Sequence, residues 1–160
     1  MAVLTPGSPF PPIDLTDGSG GAAAALAGEA LVGFFKTTCP TCEFAWPFFE
    51  RVGRLAEGGT LSVLAVSQDE PEPTAGFNER LGVRLRTLYD AEPWRASEAL
   101  GMEVVPTFFR VGADGKLRQA VVGFERQKMQ DFAAEAAALA GKSTAPLYLL
   151  GENVPAIKPG

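Results

Sequence analysis

The sequence contains no histidine. This absence excludes catalytic pairs in which an imidazole activates a serine or a cysteine. It also excludes zinc sites with histidine ligands and copper sites that combine cysteine with histidine. Much of the known chemistry of enzyme active sites is therefore unavailable to this chain.

Cysteine is almost as scarce as histidine. The chain has 160 residues and two cysteines, and both lie in the segment Cys39-Pro40-Thr41-Cys42. In a reducing compartment, a pair this close is more often redox-active or metal-binding than structural. The pair is therefore the first candidate for chemistry.

Long apolar runs and an excess of positive charge are also missing. No run approaches the roughly 20 apolar residues of a membrane-spanning helix. The net charge is −5 and the 14 basic residues are scattered, which disfavours a nucleic-acid partner. The stretch from Met1 to Pro12 has no lysine, no arginine and no apolar core of signal-peptide length. We expect a soluble, cytoplasmic, monomeric protein without membrane insertion, unless a leader has already been removed.

The length and composition fit one domain, since 46% hydrophobic residues in a chain of 160 suffice for a self-contained core. Nearly continuous apolar runs at 30–35 and 61–66 are typical of central strands covered on both faces. A helical pattern lies between them, with Gly58-Gly59 after it and Pro47 inside it, where proline is expected to kink the helix. Strand, helix and strand in this order indicate a parallel crossover.

The second half of the chain has a different pattern. Its predicted elements are helices near 74–81, 94–100 and 126–140, a short strand at 87–89, and strands at 107–111 and 117–122 joined by a turn. Gly141 ends the last helix. A parallel half followed by an antiparallel hairpin predicts an α/β sandwich with a mixed sheet, formed by residues 1–141.

Residues 142–160 are predicted to form an extended tail. Proline and glycine in this stretch prevent a long helix, yet its apolar residues are too many for a free solvated segment. We expect the tail to pack on its own domain, and the alternative is that it docks a partner or a second subunit. The apolar residues are Leu147, Tyr148, Leu149, Leu150, Val154 and Ile157.

Cys39 directly follows the first predicted strand and begins the next helix. Backbone N–H groups and the positive end of the helix dipole at this position favour a thiolate, which is the nucleophile in disulfide exchange. Cys42 lies one helical turn later, where it can attack the resulting mixed disulfide. The alternatives are half of a metal site or two idle thiols, and other soft ligands are lacking.

The order and spacing of several segments resemble the redoxin branch of the thioredoxin superfamily. The resemblance covers residues 4 to about 140 and implies a thioredoxin-like three-layer α/β sandwich with a central mixed sheet. It also implies a thiol-disulfide oxidoreductase of the cytochrome-maturation type, or a relative of the peroxiredoxins. The matching segments are 4–10, 13–15, the CPTC segment, 66–69, 88–90, 104–108 and the Asp114-Gly115 turn.

In the same resemblance, Pro106 matches a cis-proline beside the CxxC motif, and the backbone of Val105 would bind an extended substrate strand. We also assign Pro40 and Thr41, which separate the cysteines, to the substrate-contacting surface. Trp46 lies off the main apolar face of its helix and is assigned to the same surface, although the other aromatic residues nearby are expected to be core.

The chain also differs from the families that it resembles at positions that are important for their chemistry. Thioredoxins usually carry a buried aspartate where this chain has Gly33, and the cytochrome-maturation reductases usually carry a glutamate where it has Ala45. The base that assists Cys42 is therefore unidentified. Peroxiredoxins carry a threonine and an arginine where this chain has Lys36 and Val105, so a peroxide bond would be poorly polarised here.

These observations predict an enzyme that exchanges electrons with protein disulfides through Cys39 and Cys42, without a cofactor or a metal. Its partners would be a disulfide-bearing protein substrate and a redox protein that recycles the cysteine pair. A thiol peroxidase and a non-catalytic module that binds a partner and senses redox state are the alternatives. In a cytoplasmic setting, the reductase direction is favoured.

Overall fold

The computed structural model describes residues 3–19, 28–143 and 146–160. Seven strands and four helices are present in these ranges. The strands are β1 (Ala30–Phe35), β2 (Ser62–Ser67), β3 (Thr87–Tyr89), β4 (Thr107–Val111), β5 (Leu117–Val122), β6 (Phe124–Glu125) and β7 (Ile157–Lys158). The helices are α1 (Pro40–Ala56), α2 (Pro71–Leu81), α3 (Arg95–Ala99) and α4 (Arg126–Leu139).

The central sheet has the strand order β3-β2-β1-β4-β5. Strand β1 pairs in parallel with β2 and antiparallel with β4, β2 pairs in parallel with β3, and β4 pairs antiparallel with β5. The mixed sheet predicted from the sequence is therefore confirmed. Strand β1 lies at its centre, so the loop that follows β1 leads directly to the middle of one sheet edge.

Two apolar clusters cover the two faces of the sheet, because successive side chains of a strand point to opposite sides. Leu31 and Phe35 of β1 pack with α1, α2 and α4 in one cluster. Val32 and Phe34 pack in the other with α3 and with residues of the segment before β1, such as Leu15. Helices on both faces of one sheet make the three-layer α/β sandwich that the sequence predicts.

Helix α2 begins earlier than the sequence pattern indicates. The pattern predicts a start near residue 74, because Pro71 and Pro73 lie before the helical spacing begins and proline is typical of loops. In the structure Pro71 is the first residue of the helix. Proline is tolerated in the first helical turn, where its missing N–H would have no partner in any case.

The stretch after Gly141 lies against the domain in its described part. Leu147 and Val154 are buried, and β7 pairs with β6 antiparallel. Arg51 of α1 donates two hydrogen bonds of 2.7 Å to the Glu152 carboxylate. None of the helices in the described ranges is long and apolar enough to span a bilayer.

Candidate active site

Cys39 lies in the loop between β1 and α1 and caps the N-terminus of α1. Its sulfur accepts a hydrogen bond of 3.1 Å from the backbone N–H of Cys42. The Cys39 thiol also lies 3.5 Å from the carbonyl oxygen of Val105, to which it donates. The side chain is partly exposed. An N–H group directed at the sulfur stabilises negative charge there, so the capping geometry favours a nucleophile at position 39.

Cys42 is placed differently, although it lies in the first turn of the same helix. Its side chain is fully buried. Burial raises the pKa of the Cys42 thiol well above its ordinary value, and the hydrogen bond with Cys39 adds to this effect. Both cysteines are free thiols, so the structure represents the dithiol form. The two sulfurs therefore differ in accessibility, and Cys39 is the more exposed of the two.

The peptide bond between Val105 and Pro106 is cis, as predicted. Pro106 is buried just before β4, while Val105 is partly exposed and turns its carbonyl toward Cys39. The structure thus brings together the cysteine pair and the Val105-Pro106 pair, which are more than 60 residues apart in the sequence. A second cis bond, between Glu92 and Pro93, is not indicated by any feature that we recognised in the sequence.

The loop that carries Cys39 is held from the side by Asp69. The Asp69 carboxylate accepts hydrogen bonds from the backbone N–H and the hydroxyl of Thr37, at 2.7 and 2.8 Å. This carboxylate follows β2 and binds the loop after the neighbouring parallel strand, β1. The contact is not predictable from the sequence, because no local pattern indicates which of the acidic residues 69 and 70 faces the loop.

A groove of about 440 Å³ adjoins the Val105 side of the site. Trp94 forms part of its wall and is held there by a hydrogen bond of 2.9 Å from its indole N–H to the Gln68 carbonyl. The Lys36 ammonium lies 4.6 Å from the centre of the Trp94 ring. No local pattern in the sequence predicts this groove, since Trp94 and Lys36 are 58 positions apart. Residues that line it include Lys36, Gln68, Trp94, Met102, Val104 and Val105.

Trp46 does not contact the surface, and its assignment to the substrate-contacting residues is wrong. The side chain is fully buried. Its ring lies 4.4 Å from that of Phe35, 5.1 Å from that of Phe49 and 5.8 Å from that of Phe108, measured between centroids. Rings of the sheet residues Phe35 and Phe108 pack against this side of α1, so Trp46 belongs to the buried cluster that also contains Cys42.

Pro40 and Thr41 have different surroundings. Pro40 is exposed, whereas Thr41 is buried. The Thr41 hydroxyl donates a hydrogen bond of 2.6 Å to the carbonyl oxygen of Pro159. A residue between the two cysteines is thus covered by the stretch that follows α4. The apolar residues of the tail predict that it packs on the domain, but they do not indicate a contact beside the cysteine pair.

The two positions where relatives carry an acid are filled by apolar packing. A β-carbon added to Gly33 would lie 2.7 Å from a ring carbon of Phe49 and 3.1 Å from one of Phe108. Ala45 is fully buried in the same cluster. Aromatic rings therefore occupy the space that a carboxylate would need at Gly33. In the described ranges, no group of three or more acidic or cysteine side chains is arranged to hold a metal ion.

Comparisons with known proteins agree with this architecture. The family model described as Redoxin matches residues 5–139. No curated protein sequence matches the chain at a significant level.

Solved structures with the same fold include three bacterial proteins. A putative thiol:disulfide interchange protein DsbE from Chlorobium tepidum has a TM-score of 0.72 and 20% identity, over 86% of this chain and 99% of that chain. A putative protein disulfide isomerase from Bacteroides thetaiotaomicron has a TM-score of 0.73 and 15% identity, over 89% and 96% of the two chains. A putative thioredoxin from Neisseria meningitidis has a TM-score of 0.66 and 24% identity, over 79% and 88%. At these identities the likeness shows a shared fold.

Proposed function

The chain belongs to the Redoxin family, and we propose that it is a thiol-disulfide oxidoreductase that exchanges electrons with protein disulfides through Cys39 and Cys42. One observation carries the proposal. A partly exposed sulfur caps a helix and accepts a backbone N–H, and a second, buried thiol lies one turn further along. Proteins of the same fold include thiol:disulfide interchange proteins and a putative protein disulfide isomerase, which favours the same activity.

The proposed reaction begins at Cys39. Its thiolate attacks one sulfur of the substrate disulfide, so that a bond from Cys39 to that sulfur forms and the substrate S–S bond breaks. The second substrate sulfur leaves as a thiolate and takes up a proton. The Cys42 thiol then loses its proton and attacks the Cys39 sulfur, which forms the Cys39–Cys42 disulfide and releases the first substrate thiol. Two electrons pass to the substrate in total.

Local contacts support these roles, in which Cys39 attacks the substrate and Cys42 resolves the mixed disulfide. The N–H of Cys42 stabilises the Cys39 sulfur as an anion, before it attacks the substrate disulfide. Burial of Cys42 keeps it from reacting with external disulfides, so that it reacts with the mixed disulfide next to it. The cytoplasmic location stays a prediction, and the reductase direction depends on it.

The test is catalytic reduction of insulin by dithiothreitol, followed through the turbidity of the released chains. We expect the parent protein to accelerate the reaction, and Cys39→Ser to abolish the acceleration. Cys42→Ser is expected to accumulate a mixed disulfide that nonreducing electrophoresis detects. Leu150→Ala, at an exposed position, is the control. A parent protein that neither accelerates the reaction nor forms a mixed disulfide through Cys39 would disprove the proposal and favour a non-catalytic binding module.

A further inference from the structure

Residues 157–160, called here the 157–160 segment, lie across the cysteine site. The Pro159 carbonyl accepts the hydroxyl hydrogen bond of Thr41. A methyl group built on Gly160 would lie 2.4 Å from the carbonyl oxygen of Val105, so the two backbones are in direct contact there. Thr41 is a chain neighbour of Cys42, and Val105 is the residue whose carbonyl faces the Cys39 sulfur. The segment thus contacts both a chain neighbour of Cys42 and the residue whose carbonyl faces Cys39.

The chain before the segment is anchored independently of the cysteine site. The backbone N–H of Arg126 donates to the Ala156 carbonyl at 2.9 Å, and the Arg126 side chain donates to the Val154 carbonyl at 3.0 Å. Ion pairing with Arg51 holds the Glu152 carboxylate in its charged form and lowers its pKa to about 2. These contacts fix the chain up to residue 156, and they do not involve the cysteines.

The segment itself is held by fewer contacts. Ile157 and Lys158 pair with the two residues of β6, and the Lys158 ammonium lies 5.6 Å from the centre of the Phe44 ring. Ile157, Pro159 and Gly160 are exposed. The segment is restrained by a two-residue strand pair, one hydroxyl hydrogen bond and the close approach of the Gly123 backbone, so its release breaks fewer contacts than release of the whole tail.

The position of the segment affects which disulfides reach Cys39. A small disulfide needs room only for its two sulfurs and their short substituents. A protein disulfide brings polypeptide chain on both sides of the sulfur that Cys39 attacks. The groove bounded by Trp94 extends to Val105, and the backbone at Gly160 contacts the carbonyl of the same residue. A polypeptide that enters by the groove therefore meets the 157–160 segment when it crosses the site.

We propose that the 157–160 segment determines the substrate class of the cysteine pair, by admitting small disulfides to Cys39 directly and protein disulfides only after it has moved. The inference rests on the proposed exchange activity and adds a selection step to it. No additional reactant is involved. The energetic cost for a protein substrate is the loss of the Thr41 and β6 contacts, which lowers the fraction of molecules competent to bind it.

Two substitutions in the full-length chain release the segment by different means. Thr41→Val removes the hydroxyl that binds Pro159 and keeps the shape of the side chain, and Thr41→Ser, which keeps the hydroxyl, is its matched control. Gly160→Ala places a methyl group against the Val105 carbonyl, at a distance that forces the segment away. Hydrogen exchange at Ile157 and Lys158 measures the release itself.

The reaction readout is the ratio of two rates for the reduced protein, one with insulin and one with the small disulfide 5,5′-dithiobis(2-nitrobenzoate). Taking the ratio cancels any change in the intrinsic reactivity of Cys39. We expect Thr41→Val and Gly160→Ala to raise the ratio roughly three- to tenfold, the effect of losing about one hydrogen bond, and Thr41→Ser to leave it near the parent value.

Two results would overturn the inference. One is an unchanged or lowered ratio in variants whose segment exchanges faster, and the other is unchanged exchange in both variants, since the contacts named here would then not hold the segment. Failure of the underlying activity is distinguishable from both. In that case neither the parent nor the variants would reduce insulin, although the partly exposed Cys39 thiol would still react with the small disulfide.

Discussion

The sulfur of Cys39 and the backbone nitrogen of Cys42 lie 3.1 Å apart, with the N–H directed at the sulfur. The backbone of Cys42 therefore donates a stabilising hydrogen bond to the Cys39 sulfur, whereas the Cys42 sulfur is fully buried. The two positions of a CxxC motif are equivalent in composition, but the start of α1 makes them unequal in access and in electrostatics. This inequality leads to opposite expectations for the chemistry of the two thiols.

Alkylation with iodoacetamide at neutral pH is expected to modify Cys39 before Cys42. Burial raises the pKa of Cys42, and each unit of increase lowers the fraction of reactive thiolate about tenfold. The alkylation rates of Cys39 and Cys42 should therefore differ by more than about tenfold. Peptide mapping by mass spectrometry measures both sites in the parent protein. Cys42→Ser should be labelled like the parent, and Cys39→Ser much more slowly. Faster labelling at position 42 would reverse the assignment.

The second step of the exchange should depend on pH. Because the pKa of Cys42 is raised, the neutral thiol persists at pH 7 and the attacking thiolate is scarce. Below that pKa, the thiolate fraction grows about tenfold for each unit of pH, and the rate of mixed-disulfide resolution should grow with it. Stopped-flow measurement between neutral and mildly alkaline pH checks this. A rate that is already fast and flat near pH 7 would show that a nearby base assists Cys42.

Much of the fold follows from local patterns in the sequence. The bounds of β1, β3, β4 and β5 agree with the predicted ones, because apolar runs ended by glycine, proline and charged residues are strong strand signals. Trp46 was misassigned for a physical reason. Helical spacing gives its angular position on α1, but it does not show that rings from the sheet close over that side of the helix.

The surroundings of the cysteines were only partly predictable. The placement of Cys39 at a helix start follows from a strand ending just before it, whereas Val105 was placed at the site by resemblance to a family. The contact between Thr41 and Pro159 joins residues 118 positions apart, and no local pattern encodes such a pair. Nor does the sequence show that Asp69 would hold Thr37, since several acidic residues follow β2.

Position 33 should not accept an acid. Gly33→Ala places a methyl group 2.7 Å from a ring carbon of Phe49, and overpacking of this kind costs roughly 1–3 kcal/mol of unfolding free energy. Gly33→Asp adds a buried carboxylate to the same clash and should cost more. Chemical denaturation of both variants measures the two losses. The matched substitution Gly76→Ala, in open space on α2, should have little effect or stabilise slightly. Equal stability of the parent and Gly33→Asp would contradict the packing argument.

Peroxide turnover should be slow. In the described ranges, the hydrogen bonds of the Cys39 sulfur are with one backbone N–H and one carbonyl, that of Val105, and a carbonyl cannot donate to a peroxide oxygen. Lys36 stands where peroxiredoxins carry a threonine, and its ammonium lies over the Trp94 ring. Loss of one well-placed donor typically costs roughly 100- to 1,000-fold in rate. Competition with a peroxiredoxin for limiting hydrogen peroxide measures this. A rate comparable to the peroxiredoxin would mean that a different set of donors activates the peroxide.

Leu147 and Leu150 give a matched test of how the tail contributes to stability, because they are three residues apart and have opposite environments. Leu147 is 3% exposed and Leu150 is fully exposed. The Arg51 guanidinium also donates to the Leu147 carbonyl at 3.0 Å, which fixes the backbone where the side chain enters the core. Leu147→Ala removes buried apolar surface and leaves a cavity, so we expect a loss of about 2–4 kcal/mol in unfolding free energy.

Leu150→Ala deletes the same atoms from a side chain that is already in solvent, so it should change the unfolding free energy by less than about 0.5 kcal/mol. Urea denaturation of both variants, with an unchanged m-value as the sign that unfolding remains two-state, checks the difference. If the tail instead docked a partner and contributed nothing to its own domain, both leucines would be dispensable for stability in the isolated protein. Equal midpoints for the two variants would therefore contradict the packing of residue 147 and, with it, the anchoring on which the proposed role of residues 157–160 depends.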